Sequence, residues 1–319
     1  MKFTQIKDEL NYSSKKYQLT REIEDIFINF KYIKLEPSIF EDYDDFTSIN
    51  QRIKKEKIVK VINSNSKILI LRPDITMNII KKLIPRWEDD IKVKLFYNSS
   101  IFVNESNTNI KEFSQMGVEY LGEDSIDADI EIIQLVFKIL KKYNKNFLLE
   151  IGNSKYINGL LDETYLTKSS KLKLKDLIYK KNKNELIKYV SNLNLKKEIK
   201  NLLFNILDFQ GNMEEVIIKA EKFYMNQAMK NSIAEIKNFK KIVKEYDYLK
   251  YIHLDLSLIT ELDYYDGLIF KGYYENSYAE IIRGGRYNLL TQIFNINSPG
   301  IGFSINLDEL IKIFYKEGE

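Results

Sequence analysis

The chain has 319 residues, of which 44% are hydrophobic and 30% charged, enough apolar material for one large globular domain or two smaller ones. It has no cysteine and one histidine, His253, which excludes disulfides, thiol nucleophiles and multi-histidine metal sites, so neither a metal nor a cofactor is expected. A formal net charge of +3 does not argue for nucleic acid, and no window reaches the roughly 18 apolar residues of a membrane helix, so a cytoplasmic protein is expected.

The first predicted elements are a helix, two strands and a second helix. Residues 22–30 are predicted to be helical because their apolar residues share one face: Ile23, Ile26, Phe27 and Phe30. Residues 31–37 are predicted to form a strand that ends at a proline, and residues 67–71 a short buried strand. Pro73 suits the first position of the following helix, whose apolar stripe consists of Ile75, Ile79, Ile80 and Leu83.

The middle of the chain predicts an antiparallel pair of strands. Residues 92–104 and 111–121 are the two strands, with a polar loop between them. Ser125 starts a helix whose inward residues are Ile126, Ile130, Ile133, Val136, Phe137 and Leu140. A strand at 147–152 then leads into a helical segment.

From residue 163 to 245 the composition changes to lysine and glutamate with leucine and isoleucine at helical spacing, which predicts an all-helical insertion. Strands resume at about residue 248, and residues 309–315 are predicted to be helical. The expected organisation is therefore a core of residues 1–162 and 246–319 interrupted by this insertion. The fold class predicted is α+β, with an antiparallel sheet flanked by helices.

One predicted strand carries polar residues on a single face. Side chains alternate along a strand, so Gln115, Gly117 and Glu119 share one face while apolar residues occupy the other. An amide and a carboxylate separated by glycine make a suitable floor for a small polar ligand, because glycine permits close approach. The alternative is an ordinary solvent-facing strand with a bulge at Gly117.

Asp74 and Thr76 are predicted at the start of a helix that directly follows a strand. An acid and a hydroxyl at this place are ordinary helix-capping residues, since Asp and Thr are common in the first turn. A ligand-binding role for these two residues is implied only by the family resemblance described below.

Four segments, taken together, resemble the catalytic domain of histidyl-tRNA synthetase, a class II synthetase: Arg72-Pro-Asp-Ile-Thr76, Phe113-Ser-Gln-Met-Gly-Val-Glu119, Leu262-Asp-Tyr-Tyr265 and Arg283-Gly-Gly-Arg-Tyr287. The synthetases usually have Arg-Pro-Glu-x-Thr, whereas this chain has aspartate at position 74. The shorter acid favours a non-synthetase branch, the regulatory subunits of ATP phosphoribosyltransferase.

The resemblance implies a set of histidine-binding residues: Asp74, Thr76, Gln115, Glu119, Tyr265 and Tyr287. It also implies a short-form catalytic ATP phosphoribosyltransferase subunit as partner, histidine as effector, and a homodimer, with Pro37 at its interface, within a hetero-oligomer. Neither nucleic acid nor membrane is an expected partner. Synthetases of this family continue into an anticodon-binding domain, which is not expected here.

Three positions where the synthetases carry arginine hold Val103, Thr260 and Glu309 instead. Adenylation needs cations at the α-phosphate, and loss of one such preorganised group typically costs about 2.7–4 kcal/mol. The resemblance therefore implies a non-catalytic subunit with no catalytic residues. The alternatives are a residual histidyl-tRNA ligase or amino-acid-activating enzyme, and an orphan paralogue that senses amino acids or binds RNA.

Overall fold

The computed structural model describes residues 5–49, 53–88, 90–106, 109–260, 264–275, 277 and 279–316. The chain forms two compact units. Unit 1 comprises Met1–Phe147, Gly272–Gly284 and Asn288–Glu319, and unit 2 comprises Leu148–Lys271 and Gly285–Tyr287.

Helices and strands follow one another along the whole described chain. The helices are α1 (Ile6–Asn29), α2 (Tyr43–Ile49), α3 (Ile75–Leu83), α4 (Ile126–Tyr143), α5 (Ser154–Asp162), α6 (Lys168–Tyr179), α7 (Lys183–Ser191), α8 (Lys197–Asn205), α9 (Met213–Ala220), α10 (Gln227–Glu245), α11 (Asn288–Gln292) and α12 (Leu307–Lys316). The strands are β1 (Ile33–Lys34), β2 (Phe40–Asp42), β3 (Lys60–Ile62), β4 (Ile68–Leu71), β5 (Val93–Ser106), β6 (Asn109–Leu121), β7 (Phe147–Asn153), β8 (Gln210–Gly211), β9 (Ile252–Asp255), β10 (Leu268–Tyr274), β11 (Ile282–Arg286) and β12 (Gly300–Asn306).

The sheet of unit 1 places the polar strand β6 between two antiparallel neighbours. Its strands follow the order β1, β5, β6, β12, with β1 parallel to β5 and the other neighbours antiparallel. The register sets Leu95, Glu119 and Gly302 side by side. Since laterally paired residues point to the same face, these three side-chain positions share one side of the sheet. A second, small antiparallel sheet has the order β2, β4, β3.

Helix α3 packs on the face of the sheet that carries Glu119. Its Ile75 and Ile79 form a buried cluster with Leu95, Tyr97 and Ile101 of β5. Burial of such side chains is worth about 1.5–3 kcal/mol each. The packing fixes the beginning of α3 above the polar strand, which is the arrangement the candidate site needs.

Unit 2 contains a helical segment and part of the strand framework. Strands β10, β7, β9 and β8 are neighbours in that order, with β7 parallel to β9 and β8 antiparallel to β9. Helices α6 to α10 lie between residues 168 and 245, so this stretch is mainly helical as predicted. It is not all-helical, because Gln210–Gly211 forms β8, which pairs with β9. The exact domain boundaries proposed from the sequence stay a prediction.

The predicted α+β class is confirmed, and the sheet is mixed rather than purely antiparallel. Helix α1 begins at Ile6, well before the predicted start, because its first half is polar and mostly exposed and so has no apolar stripe to detect. Strand β4 was expected to be buried, but among its residues only Ile70 is buried. Pro73 precedes Asp74, the residue that caps α3, rather than occupying the first helical position.

Two further findings bear on the polar strand. The register through Gly117 is continuous with both neighbours, so the alternative of a bulge at this residue is wrong. The segment Gly300–Asn306 forms β12, a strand that was not predicted.

Within the described part of the chain, no helix combines the length and apolar character needed to span a membrane.

Candidate functional site

The centre of the candidate site in unit 1 is a hydrogen bond between α3 and β6. The Thr76 hydroxyl donates to Glu119 Oε1 at 2.6 Å. Glu119 is only 1% exposed, whereas Thr76 is half-buried. A buried carboxylate is expensive unless it is hydrogen-bonded, so this short contact helps to hold the charge in place. Two residues 43 positions apart, both predicted from the sequence, are thereby brought together.

The second oxygen of the Glu119 carboxylate lies against Gly302 of β12. A Cβ atom at position 302 would stand 2.1 Å from Glu119 Oε2 and 2.3 Å from the Val118 carbonyl oxygen. Real Cβ atoms do not approach other atoms so closely, so only glycine accommodates this carboxylate. The sequence assigned no role to Gly302, because its position opposite Glu119 follows only from the register of β12 and β6.

A second glycine, Gly117, makes room for a tyrosine hydroxyl. A Cβ atom at Gly117 would lie 2.4 Å from the Tyr97 hydroxyl and 2.3 Å from the Phe303 carbonyl oxygen. Tyr97 is its register partner on β5 and is 1% exposed. The prediction that something must approach Gly117 closely is met here by a side chain of the protein itself, and Tyr97 is a site neighbour that the sequence did not reveal.

Gln115 occupies the same face two residues before Gly117. It is paired in register with Ser99 on one side and with Asn306 on the other, and it is 9% exposed. Gln115, Glu119 and Thr76 therefore provide amide, carboxylate and hydroxyl groups along one half-buried surface. Such a set suits a small ligand that carries an ammonium group.

Asp74 caps helix α3. It has extended backbone angles, and its Oδ1 atom accepts from Met77 N at 2.7 Å. The carboxylate is 7% exposed. Capping and ligand binding were both open from the sequence; the structure establishes the cap, which uses one of the two carboxylate oxygens.

Glu41 is a third acid near the start of α3. It is 8% exposed, and its Oε2 atom lies 3.5 Å from Lys81 Nζ. Burial raises its pKa, the Lys81 charge lowers it, and the Asp74 charge raises it. No sequence signal pointed to Glu41, since a single acid in a two- to three-residue strand has no distinctive pattern. Burial dominates and the pKa of Glu41 is raised, so this carboxyl is a buried acid that lies next to α3 and contacts Lys81.

Arg72 belongs to the Arg72–Thr76 motif, and its guanidinium forms hydrogen bonds to the backbone. It is 3% exposed, and its guanidinium donates to the carbonyl oxygens of Ser100 (2.7 Å), Pro37 (2.7 Å) and Ser38 (2.8 Å). Burial lowers its pKa from the ordinary value. Through Nε and Nη1, Arg72 holds β5 and the segment after β1 next to α3.

The predicted tyrosines belong to unit 2, where they form their own aromatic group. The centroid of the Tyr264 ring lies 4.9 Å from the centroid of the Tyr265 ring and 6.0 Å from that of the Tyr287 ring. Tyr287 is 1% exposed and Tyr265 is half-buried. Gly285 (φ 159°) completes the group, because a Cβ there would stand 2.8 Å from the Tyr265 ring.

Comparison with known proteins gives the family. The profile of the histidyl-tRNA synthetase family matches residues 6–310. A protein named ATP phosphoribosyltransferase regulatory subunit from Oceanobacillus iheyensis is 30% identical over 301 residues, covering 94% of this chain and 74% of that relative. A protein of the same name from Clostridium acetobutylicum is 33% identical over 291 residues, covering 89% and 71%. The chain belongs to the histidyl-tRNA synthetase-like family of ATP phosphoribosyltransferase regulatory subunits.

The fold agrees with this regulatory-subunit family. The crystal structure described as an ATP phosphoribosyltransferase regulatory subunit/histidyl-tRNA synthetase from Bacillus halodurans C superposes with a TM-score of 0.85. It is 25% identical and covers 98% of this chain and 82% of that chain. The similarity to class II synthetases that the motifs suggested is therefore confirmed for the fold as a whole.

Two of the positions at which this member of the regulatory-subunit family lacks arginine can be located in unit 1. Val103 lies on β5 opposite Lys111, which pairs with Glu105 at 3.0 Å on the surface. Glu309 lies in the first turn of α12, where its Oε1 atom is 2.5 Å from Lys312 Nζ. The third position, Thr260, is in unit 2, and Asp263 of the same motif falls outside the described residues.

The carboxylates found here do not form a metal centre. Among the residues that the structure describes, no group of three or more His, Asp, Glu or Cys side chains is placed to hold a metal ion. The unit 1 cluster instead combines acids with a hydroxyl and an amide, which is chemistry for recognising a small cationic or zwitterionic molecule.

Proposed function

We propose that this protein is the regulatory subunit of a hetero-oligomeric ATP phosphoribosyltransferase, the first enzyme of histidine biosynthesis. In this role it binds a short catalytic chain, is required for full activity, and transmits feedback inhibition by histidine. The support is family membership: relatives that carry this name are 30% and 33% identical over most of the chain. The single observation about the site that carries the proposal is the hydrogen bond between Thr76 and the buried Glu119 carboxylate.

The chain itself is proposed to be non-catalytic. Adenylation places growing negative charge on a phosphate, which the synthetases neutralise with arginine. Here Val103 is neutral and Glu309 is negative and paired with Lys312, while the buried Arg72 is occupied by three carbonyl oxygens. Because each missing cation typically costs about 10²–10³ in rate, little activation chemistry is expected.

The effector is proposed to be histidine. Its α-ammonium group matches the side-chain oxygens of Glu119, Thr76, Gln115 and Asp74, which can accept charge-assisted hydrogen bonds. Tyr265 and Tyr287, assigned to the same ligand by the family resemblance, are proposed as its aromatic contacts. Regulation then follows from linkage: histidine that prefers the inactive state of the assembly shifts the assembly toward that state.

A homodimer within the hetero-oligomer is also proposed. The segment after α1 resembles the dimer-forming motif of class II synthetases. Several apolar side chains of α1 and β1 are strongly exposed in the single chain: Ile6 (78%), Leu10 (66%), Tyr17 (69%) and Ile33 (68%). Such apolar surface is commonly covered by a partner. Native mass spectrometry of the purified chain gives its oligomeric state directly.

The decisive experiment is reconstitution with a short ATP phosphoribosyltransferase chain from the same genome. We expect the two chains to co-purify, phosphoribosyl-ATP formation to require this subunit, and histidine to inhibit only the mixture. A catalytic chain that is equally active and equally inhibited alone contradicts the proposal. Histidine-dependent exchange of pyrophosphate into ATP by this protein alone would instead revive the ligase alternative.

A further inference from the structure

A buried cluster of charged and hydroxyl groups holds the end of β9 in unit 2. Asp255 is completely buried, and its Oδ1 atom accepts from the Ser257 hydroxyl (2.6 Å) and from Ser257 N (2.8 Å). Lys181 Nζ donates to Asp255 Oδ2 and, at 2.6 Å, to Ser257 Oγ. An ionised carboxylate is buried only with compensating partners, so Lys181 is the cation that makes the burial of Asp255 tolerable.

The backbone conformation of Lys181 does not by itself explain why this position is a lysine. Lys181 lies in the turn between α6 and α7 with φ 52°, the left-handed region that favours glycine. Its N–H closes the end of α6 on Ile178 O at 3.0 Å, a bond that glycine would make equally well. The turn alone therefore does not call for lysine; the contact with Asp255, 74 residues away in sequence, does.

The segment after β9 is attached on more than one side. Leu256 N donates to Phe209 O at 3.0 Å, and Leu258 N donates to Asp255 O at 3.2 Å. On β7, a Cβ atom at Gly152 would stand 2.7 Å from Asp255 O and 2.8 Å from Leu258 Cβ. Small movements of Asp255 are therefore transmitted to the residues that follow it.

We propose that Lys181 is a positioning residue whose ion pair with Asp255 fixes the exit of β9 at residues 256–258, the described stretch that leads towards Thr260 and Tyr265. This rests on the proposed function for the identity of the ligand, since Tyr265 is assigned to histidine there. Through Lys181, the turn between α6 and α7 positions the chain that leads to a proposed ligand contact. The helical segment thereby contributes to effector binding.

The cluster of Lys181, Asp255 and Ser257 is called the clamp below. The charged groups around it predict how its stability depends on pH. Glu150 of β7 hydrogen-bonds with Asp255; burial, followed by the Asp255 charge, raises its pKa to about 6, while Lys181 and Lys271 oppose the rise. Below pH 6 the protonated Glu150 donates to Asp255. Above pH 6 two carboxylates face each other and Lys181 must compensate. His253 is paired in register with Glu150 and is a further ionisable side chain beside it.

The test is backbone hydrogen exchange of full-length protein carrying Lys181→Met, read at Leu256, Ser257 and Leu258. We expect exchange about tenfold faster than in the wild type, the mark of local opening, with restoration in Lys181→Arg. The matched control is Lys183→Met, which removes an exposed lysine at the start of α7 whose Nζ atom is 2.7 Å from the Asp208 carboxylate. Wild-type exchange in Lys181→Met, or equal loosening by Lys183→Met, overturns the proposal.

A pH series and calorimetry separate the clamp from a merely structural contact. The Lys181→Met defect should grow as pH rises through about 6, and Glu150→Gln added to it should remove that dependence while leaving His253 in place. A pH dependence that survives Glu150→Gln counts against the proposal. Histidine affinity should fall about tenfold in Lys181→Met. A wild type that binds no histidine overturns the proposed function, and the exchange rates still decide the clamp.

Discussion

The polar cluster on β6 and the positions without arginine are built in opposite ways. Glu119 is 1% exposed, receives the Thr76 hydroxyl, and leaves room only for glycine at position 302. The Glu309 side chain is 28% exposed and pairs with Lys312 within its own helix. Burying a carboxylate costs free energy unless the group is hydrogen-bonded or ion-paired. A surface ion pair stabilises the fold by only about 0–1 kcal/mol. The first region therefore indicates a maintained function, and the second a region free to change.

The difference has a simple electrostatic meaning. The retained groups are acids, a hydroxyl and an amide, which recognise the cationic end of an amino acid. The absent groups are the cations that would recognise a phosphate. A synthetase needs both sets, while an amino-acid sensor needs only the first, and the comparison favours the sensor that we propose.

The largest effect is expected from Glu119→Ala. Because hydrogen bonds to charged groups are worth about 1.5–3 kcal/mol, histidine affinity should fall about 10- to 100-fold. Isothermal titration calorimetry measures this, with Glu119→Gln separating charge from shape. Glu105→Ala is the control, since Glu105 is an exposed acid paired with Lys111. Unchanged affinity in Glu119→Ala would remove this residue from the proposed pocket.

Gly302→Ala tests the buried side of the comparison from the neighbouring strand. The new methyl group would collide with the Glu119 carboxylate and the Val118 carbonyl, so the free energy of unfolding should fall by about 1–3 kcal/mol. Urea denaturation measures the change. Gly159→Ala is the matched control, because its nearest contacts at 3.1 Å are side-chain atoms that can yield. Equal stabilities of the two variants would contradict the described geometry.

Arg72→Lys asks whether the arginine of the Arg72–Thr76 motif has a structural role or binds phosphate. Lysine cannot satisfy three carbonyl oxygens in the same fork, so about 1–3 kcal/mol of stability should be lost. Thermal unfolding measures this, with the exposed Arg21→Lys as control. A stable variant with altered nucleotide binding would place Arg72 among phosphate-binding groups and break the comparison.

Asp74 separates capping from ligand binding. Asp74→Ala should cost about 1 kcal/mol through loss of the cap on Met77 N, while Asp74→Asn should retain most of that stability. If the carboxylate also binds the ligand ammonium group, both variants lower histidine affinity. An Asp74→Asn protein with wild-type affinity would leave Asp74 with a capping role alone.

The smallest effect is expected from Glu309→Arg. The existing contact with Lys312 is a partly exposed pair three residues apart, so the stability change should be within about 1 kcal/mol. One restored cation out of three should not produce pyrophosphate exchange. Exchange detectable above the wild type, measured with labelled pyrophosphate, would show that position 309 alone controls activation.

Sequence patterns predicted the elements with strong periodicity and much of the site chemistry. The alternation around Gly117 identified the polar face of β6, and Ser125 marked the start of α4. The first half of α1 was missed because its helix is polar on most sides. Glu41, Tyr97 and the role of Gly302 were missed because they depend on which strands are neighbours, and register between distant strands is not written in a single sequence.

The close packing of the Glu119 carboxylate on Gly302 can be used to compare related sequences. Gly302 is constrained by the Glu119 carboxylate and by the Val118 carbonyl oxygen, so a larger residue at position 302 requires these groups to move. A paralogue that keeps the acid but fills the glycine position must hold its charge elsewhere. Inspecting that pair is therefore a quick way to sort related genomes' proteins by whether this receptor geometry survives.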